Sequence, residues 1–104
     1  MSSTTNTRKP KRYVLGTHPK LKVTATDLDG VTFIPSEARL SVKAPTGTIT
    51  TYSGADMTTA SGYLYIIYNP ETTGWYEYEG WVKDGIFEDA ATRGFEIYDR
   101  VYAD

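Results

Sequence analysis

The stretch Ala38-Arg39-Leu40-Ser41-Val42-Lys43-Ala44-Pro45-Thr46-Gly47 decides the fold class. Apolar and polar side chains alternate with a period of two, as they do in a strand with one face in a core and the other in water. Pro45-Thr46-Gly47 is turn chemistry, and it leads into a second strand over 48–52. Residues 53–61, with Gly54 and Asp56, read as a connection. Upstream, Leu21, Val23 and Ala25 alternate with Lys20, Lys22, Thr24 and Thr26 in the same way. Asp27-Leu28-Asp29-Gly30 then reverses the chain before a short run at 31–34, which Pro35-Ser36 breaks.

Downstream, 62–68 is apolar on both faces, as expected of a central strand. A loop over 69–74 precedes the alternating segment 75–83. Tyr76, Tyr78 and Val82 are assigned to the core, and Trp75, Glu77, Glu79 and Trp81 to the opposite face. Asp84-Gly85 opens a connection over 84–91, and a last strand over 93–101 turns Phe95 and Ile97 inward. No segment has a helical period. About seven short strands separated by regular turn signals predict an all-β protein, a single antiparallel β-sandwich, with a small barrel as the competing architecture. The sandwich is preferred because long connections at 53–61 and 84–91 suit strands that pass between sheets. The absence of an internal repeat excludes a propeller or solenoid.

Length and composition narrow the function. The 104 residues make one domain, and 39% hydrophobic with 23% charged residues is an ordinary globular composition. Nine Tyr, two Trp, three Phe and sixteen Thr favour pleated, half-buried surfaces. No apolar run is long enough for a membrane span or a signal peptide, so synthesis in a cytoplasm and no membrane partner are expected. With no Cys, thiol catalysis, thiolate metal sites and disulfides are removed. With His18 as the only His, a zinc site or a Ser-His-Asp triad has no basis.

Charge divides the chain unevenly. Residues 1–22 carry six basic and no acidic side chains, whereas the remainder carries five basic and thirteen acidic ones. The polar, basic start cannot bury enough surface to fold alone, so residues 1–19 are expected to form an extended arm and 20–104 the sandwich. The arm's interface is expected to comprise Arg8, Lys9, Lys11, Arg12, Tyr13, Val14 and Leu15. The basic residues would set register on an acidic neighbour, and Tyr13-Val14-Leu15 would add a strand to an exposed sheet edge. Nucleic acid is not expected as a partner, because the acidic body would be repelled by phosphate.

Three sets of residues bear on chemistry. Asp27 and Asp29 have the close carboxylate spacing of a calcium loop, but Val31, Phe33 and Ile34 stand where further oxygen donors are needed, leaving a polar turn. Glu77 and Glu79 share a strand face about 7 Å apart, near the separation of inverting glycosidase carboxylates. Neighbouring positions on one exposed strand make no cleft, so no catalytic residue, metal or cofactor is assigned. His18, in Gly16-Thr17-His18-Pro19, is read as a surface turn residue. Tyr63, Tyr65, Trp75 and Trp81 would form an aromatic surface for a protein partner or for sugar stacking.

The turn at Asp29-Gly30, Pro35, the strand ending in Pro45-Thr46-Gly47, Ser61-Gly62-Tyr63-Leu64-Tyr65 and Gly74-Trp75-Tyr76-Glu77-Tyr78 occur in an order that resembles a known family. Residues 21–98 look like the small immunoglobulin-like or fibronectin-III-like modules of tailed bacteriophage virions, a pattern shared with macroglobulin-like modules of bacterial surfaces. The Cys…Trp…Cys set of antibody domains is missing, and Tyr63 does not stand where a tyrosine corner would place it. The resemblance implies a non-enzymatic structural virion protein, a head decoration or cement module or a neck or tail component. Its partners would be capsid, neck or tail subunits and copies of itself, all in the virion. The alternative is a module that binds carbohydrate or a host surface through Trp75, Trp81 and nearby Tyr.

Overall fold

The computed structural model describes residues 11–99. Among these, ten strands and a single 3-10 turn alternate, with no α-helix. The strands are β1 (Lys11–Val14), β2 (Lys20–Val23), β3 (Ala25–Thr26), β4 (Thr32–Phe33), β5 (Glu37–Lys43), β6 (Ile49–Ser53), β7 (Thr58–Ala60), β8 (Tyr63–Ile67), β9 (Gly74–Asp84) and β10 (Phe87–Tyr98). A five-stranded sheet has the order β1-β10-β9-β5-β6, and a three-stranded sheet the order β2-β8-β7. β3 and β4 form a separate two-stranded hairpin. All pairings are antiparallel except β1 with β10, which is parallel.

The two larger sheets face each other across one core, which makes the fold all-β and sandwich-like. The smaller sheet contributes Leu21, Val23, Leu64 and Ile66, and the larger one Ala38, Leu40, Val42, Tyr76, Val82, Phe95 and Ile97. This is the inward set that the period-two alternation predicts for β2, β5, β9 and β10. The sheets approach closely at Gly80 of β9, where a β-carbon would lie 3.3 Å from Val23 Cγ2 on β2. At the other end of β9 the core is aromatic. The rings of Tyr76 and Phe95 are stacked at 5.2 Å, and Tyr68 meets both edge-on.

Tyr76 is also fixed by its hydroxyl. It donates to the Thr72 carbonyl at 2.8 Å and accepts from the Thr72 amide at 3.3 Å, so a ring fully inside the core keeps its polar tip satisfied.

Four expectations are corrected. Residues 53–61 are not a loop: the 3-10 turn Gly54–Asp56 carries the chain from the edge of the larger sheet to β7 at the edge of the smaller one. Asp56 holds this crossing by accepting from the amide and hydroxyl of Ser53 at 2.9 and 3.1 Å. Nor are 84–91 a loop, because β9 and β10 pair from Asp84↔Phe87 onward around Gly85-Ile86. Gly85 takes the positive φ (+64°) that so short a reversal requires. The run at 31–34 shrinks to the two residues of β4. The arm, expected over 1–19, gives up its residues from Lys11 to the larger sheet, where β1 closes the edge of β10. β1 and β7 are strands added to the expected set, and the strand read over 20–26 divides at Thr24 into β2 and β3, which join different sheets, so the count is ten rather than about seven. The reason is common to β1, β7 and the first half of β10. They lie at an edge or beyond the cover of the opposite sheet, so they carry little alternation to read.

Truncating Leu40, wholly buried at the centre of the larger sheet, is expected to cost about 2–5 kcal/mol as Leu40→Ala. Tyr76→Phe keeps the ring stack but strands the Thr72 carbonyl, with an expected loss of about 1–3 kcal/mol. Denaturant titration of both variants checks these values. Stability is further expected to fall in alkali. Burial raises the phenol pKa of both Tyr68 and Tyr78 above 10.0, and at Tyr68 the neighbouring Tyr76, Tyr52 and Glu71 add to the rise. Folding therefore favours the neutral phenols. Their contribution is fully present below pH 10, the unfolded value, and is lost as pH rises through the folded values. Denaturant midpoints measured across this range should decline less steeply in Tyr68→Phe/Tyr78→Phe than in the parent.

Candidate interaction surface

Alternation along β9 puts Trp75, Glu77, Glu79 and Trp81 on the outer face of the larger sheet, opposite Tyr76 and Val82. The tryptophans are held differently. Trp75 lies over Gly94 of β10 so closely that a β-carbon there would collide with its ring, yet Trp75 remains 45% exposed. Trp81 donates from Nε1 to Glu88 Oε2 at 2.7 Å, and the Arg39 guanidinium sits 4.1 Å from its ring centre. A shallow hollow of about 270 Å³ opens beside it between Arg39, Ser41, Thr51, Glu79 and Glu88. This face is aromatic and carries both signs of charge, since Arg39, Lys43 and Lys83 share it with Glu77, Glu79 and Glu88.

Tyr63 and Tyr65 lie elsewhere. On β8 the inward positions are Leu64 and Ile66, so the two tyrosines occupy the outer face of the smaller sheet, with their ring centres 5.9 Å apart. Lys22 lies over Tyr63 at 4.8 Å and Lys20 over Tyr65 at 4.5 Å, which makes this face basic. The four aromatic residues thus divide between opposite faces of the molecule and do not form one platform.

Of the expected arm interface, Arg8 and Lys9 lie outside the described residues. Lys11, Arg12, Tyr13 and Val14 pair with β10 of the same chain in the register Lys11↔Phe95 to Val14↔Tyr98. Arg12 Nε reaches Glu96 Oε1 at 3.0 Å, and its guanidinium stacks 4.4 Å from the Tyr98 ring centre. Tyr13 packs edge-on against Phe95, and the Leu15 amide donates to the Tyr98 carbonyl. His18 is exposed in the loop after β1. Asp27 serves its turn, accepting from the amides of Asp29 and Val31 at 2.9 and 3.0 Å.

Two features escape a reading of sequence. The smaller sheet leaves the far end of β10 uncovered, and a groove of about 390 Å³ runs between β10 and the free edge of β2. Lys11, Arg93 and Asp89 are its charged side chains, beside apolar surface from Tyr13, Tyr78 and Ala91, whereas the Lys20 and Lys22 ammoniums lie on the other side of β2, over Tyr65 and Tyr63. At one end of the molecule, Leu28 and Ile86 stand fully exposed (both 106%) on the turns of the β3-β4 and β9-β10 hairpins. Phe33 and Phe87 join these hairpins edge to face at 5.5 Å. The turn at 27–30 was legible as a turn, and its leucine between two aspartates was the available signal for the second feature.

Comparison of the chain with protein-family models, curated proteins and solved structures finds no match.

Gly94→Ala is expected to push the Trp75 ring off β10 and red-shift its emission. Trp75→Phe should abolish that shift. An unchanged spectrum in Gly94→Ala would mean that the ring does not rest on Gly94.

Proposed function

We propose that this chain is a non-catalytic, immunoglobulin-like structural module of a tailed-bacteriophage virion, which works by the contacts its surfaces make with neighbouring subunits. The observation that carries the fold part of this reading is the strand order. A sheet β10-β9-β5-β6, extended by β1 lying parallel to β10, faces a sheet β2-β8-β7. In immunoglobulin-like terms these are G, F, C and C′ facing B, E and D. Tyr76 supports the same assignment. It stands near the start of β9, the strand equivalent to F, and its hydroxyl returns to the backbone of Thr72 at the preceding corner, the geometry of a tyrosine corner. The corner residue is therefore Tyr76, with Tyr78 two positions on, where antibody domains carry their second Cys. The virion role rests on the resemblance of residues 21–98, and contact through surfaces fits exposed Leu28 and Ile86. Mass spectrometry and immunogold labelling of purified particles test it. Many copies per particle are expected, and absence from intact particles would overturn the role.

A second reading is favoured by one observation, the placement of Trp75 and Trp81 with Glu77 and Glu79 on a single outer face. It makes that face a carbohydrate platform. Titration with oligosaccharides should then give a saturable change in tryptophan emission that Trp75→Ala removes, whereas the structural reading expects no response.

A further inference from the structure

The groove beside β2 and the exposed end at Leu28 complement each other in shape class and in charge. The groove combines apolar surface from Tyr13, Tyr78 and Ala91 with two cations, Lys11 and Arg93, against one acid, Asp89. The end is apolar at its tip, with Asp27 and Asp29 flanking Leu28; Asp84 and Glu88 bracket the Gly85-Ile86 turn, with Lys83 opposite Glu88. β2 also offers backbone groups, since among the described residues no strand pairs with its outer edge.

We infer that these two surfaces bind each other between copies, so that the Leu28 turn of one molecule enters the β2-β10 groove of the next. Charge selects this occupant over the others. Residues 1–10 bring Arg8 and Lys9 and no acid, so like charge at Lys11 and Arg93 disfavours that segment. A negatively charged lipid surface would attract the apolar tip, but it would be repelled by the aspartates beside it. A second copy of the chain presents a fully exposed leucine with an acid on either side, and the groove presents apolar surface with Lys11 and Arg93 beside it. Burial of Leu28 would supply affinity, while the Asp-Lys and Asp-Arg pairs would set orientation.

The contact is head to tail, because the two surfaces are different. Each bound molecule keeps one free tip and one free groove, so association continues until a ring closes or a filament grows. Such growth is what a component repeated around a shell or collar would use, but the inference stands on the surfaces and does not require the virion role.

The test uses the full chain. Sedimentation and light scattering should show a mass that rises above 11.6 kDa with concentration and falls with added salt. Leu28→Asp and the double variant Lys11→Glu/Arg93→Glu alter exposed side chains. Each should retain the parent's circular dichroism and melting temperature while weakening association at least tenfold. Mixing the variants is decisive. Leu28→Asp keeps its groove and the charge-reversed variant keeps its tip, so together they should form a 1:1 pair that grows no further. A wild type that stays monomeric at every concentration would overturn the inference. So would association that survives both variants, or a mixture that does not pair.

Discussion

Strand β9 can bury only every second side chain, and its neighbours on both sides must follow the same phase. It pairs with β10 from Asp84↔Phe87 to Gly74↔Ile97 and with β5 from Lys83↔Glu37 to Glu77↔Lys43. Directly paired residues share a face, so Tyr76 and Val82 commit Phe95 and Ala38 to the core. A slip of one residue would expose Tyr76 and bury Trp75 and the glutamates. Gly80 tightens the constraint, because a β-carbon at this inward position would stand 3.3 Å from Val23 Cγ2 of the opposite sheet and force that side chain to give. The spacing of the sheets and the register of the larger one are therefore coupled at one strand.

The mismatch between five strands and three then shapes the surface. A smaller sheet cannot cover a larger one, so part of the inner face of β10 stays open at Ala91 and Arg93. Where the cover ends, the sequence turns polar, and the walls of the groove acquire their charge. On the opposite flank the edges of β6 and β7 are joined covalently through the 3-10 turn Gly54–Asp56. The sandwich is thus stitched on one side and open on the other. β1 narrows the open side by pairing with β10, and Arg12, between Glu96 and the Tyr98 ring, anchors that pairing at the surface. An exposed ion pair of this kind contributes little by itself, and the parallel backbone ladder does more to hold the strand.

How much was legible in the sequence follows from the same geometry. Leu21, Val23, Leu40, Val42, Tyr76, Val82, Phe95 and Ile97 were readable as core because each lies on a strand with one dry face and one wet face. β7 is Thr-Thr-Ala at an edge, and the first half of β10 faces water on both sides over much of its length, so neither leaves a period-two trace. Tyr76 is a different failure. Its hydrogen bond to Thr72 depends on how residues 69–73 fold back, and local spacing does not reveal which of nine tyrosines meets that loop. The aromatic surface failed for a third reason. Tyr63, Tyr65, Trp75 and Trp81 are all outward, but two sheets have two outsides, and sequence does not state which sheet a strand joins.

Folding accounts for every residue of the 27–30 turn except one. The Asp27 carboxylate receives the amides of Asp29 and Val31, and Gly30 adopts a φ of +82° that an L side chain strains to reach. Leu28 contributes neither a hydrogen bond of its side chain nor buried area. A polar residue would serve the turn as well and would be solvated at less cost. A single exposed leucine is ordinary on a protein surface. Here a second aliphatic residue, Ile86, stands equally exposed on another turn, and the Phe33-Phe87 contact ties the two hairpins together. Two aliphatic tips carried on joined, hydrogen-bonded scaffolds are held out at little further loss of entropy when they bind, which is the property that separates a contact surface from incidental exposure.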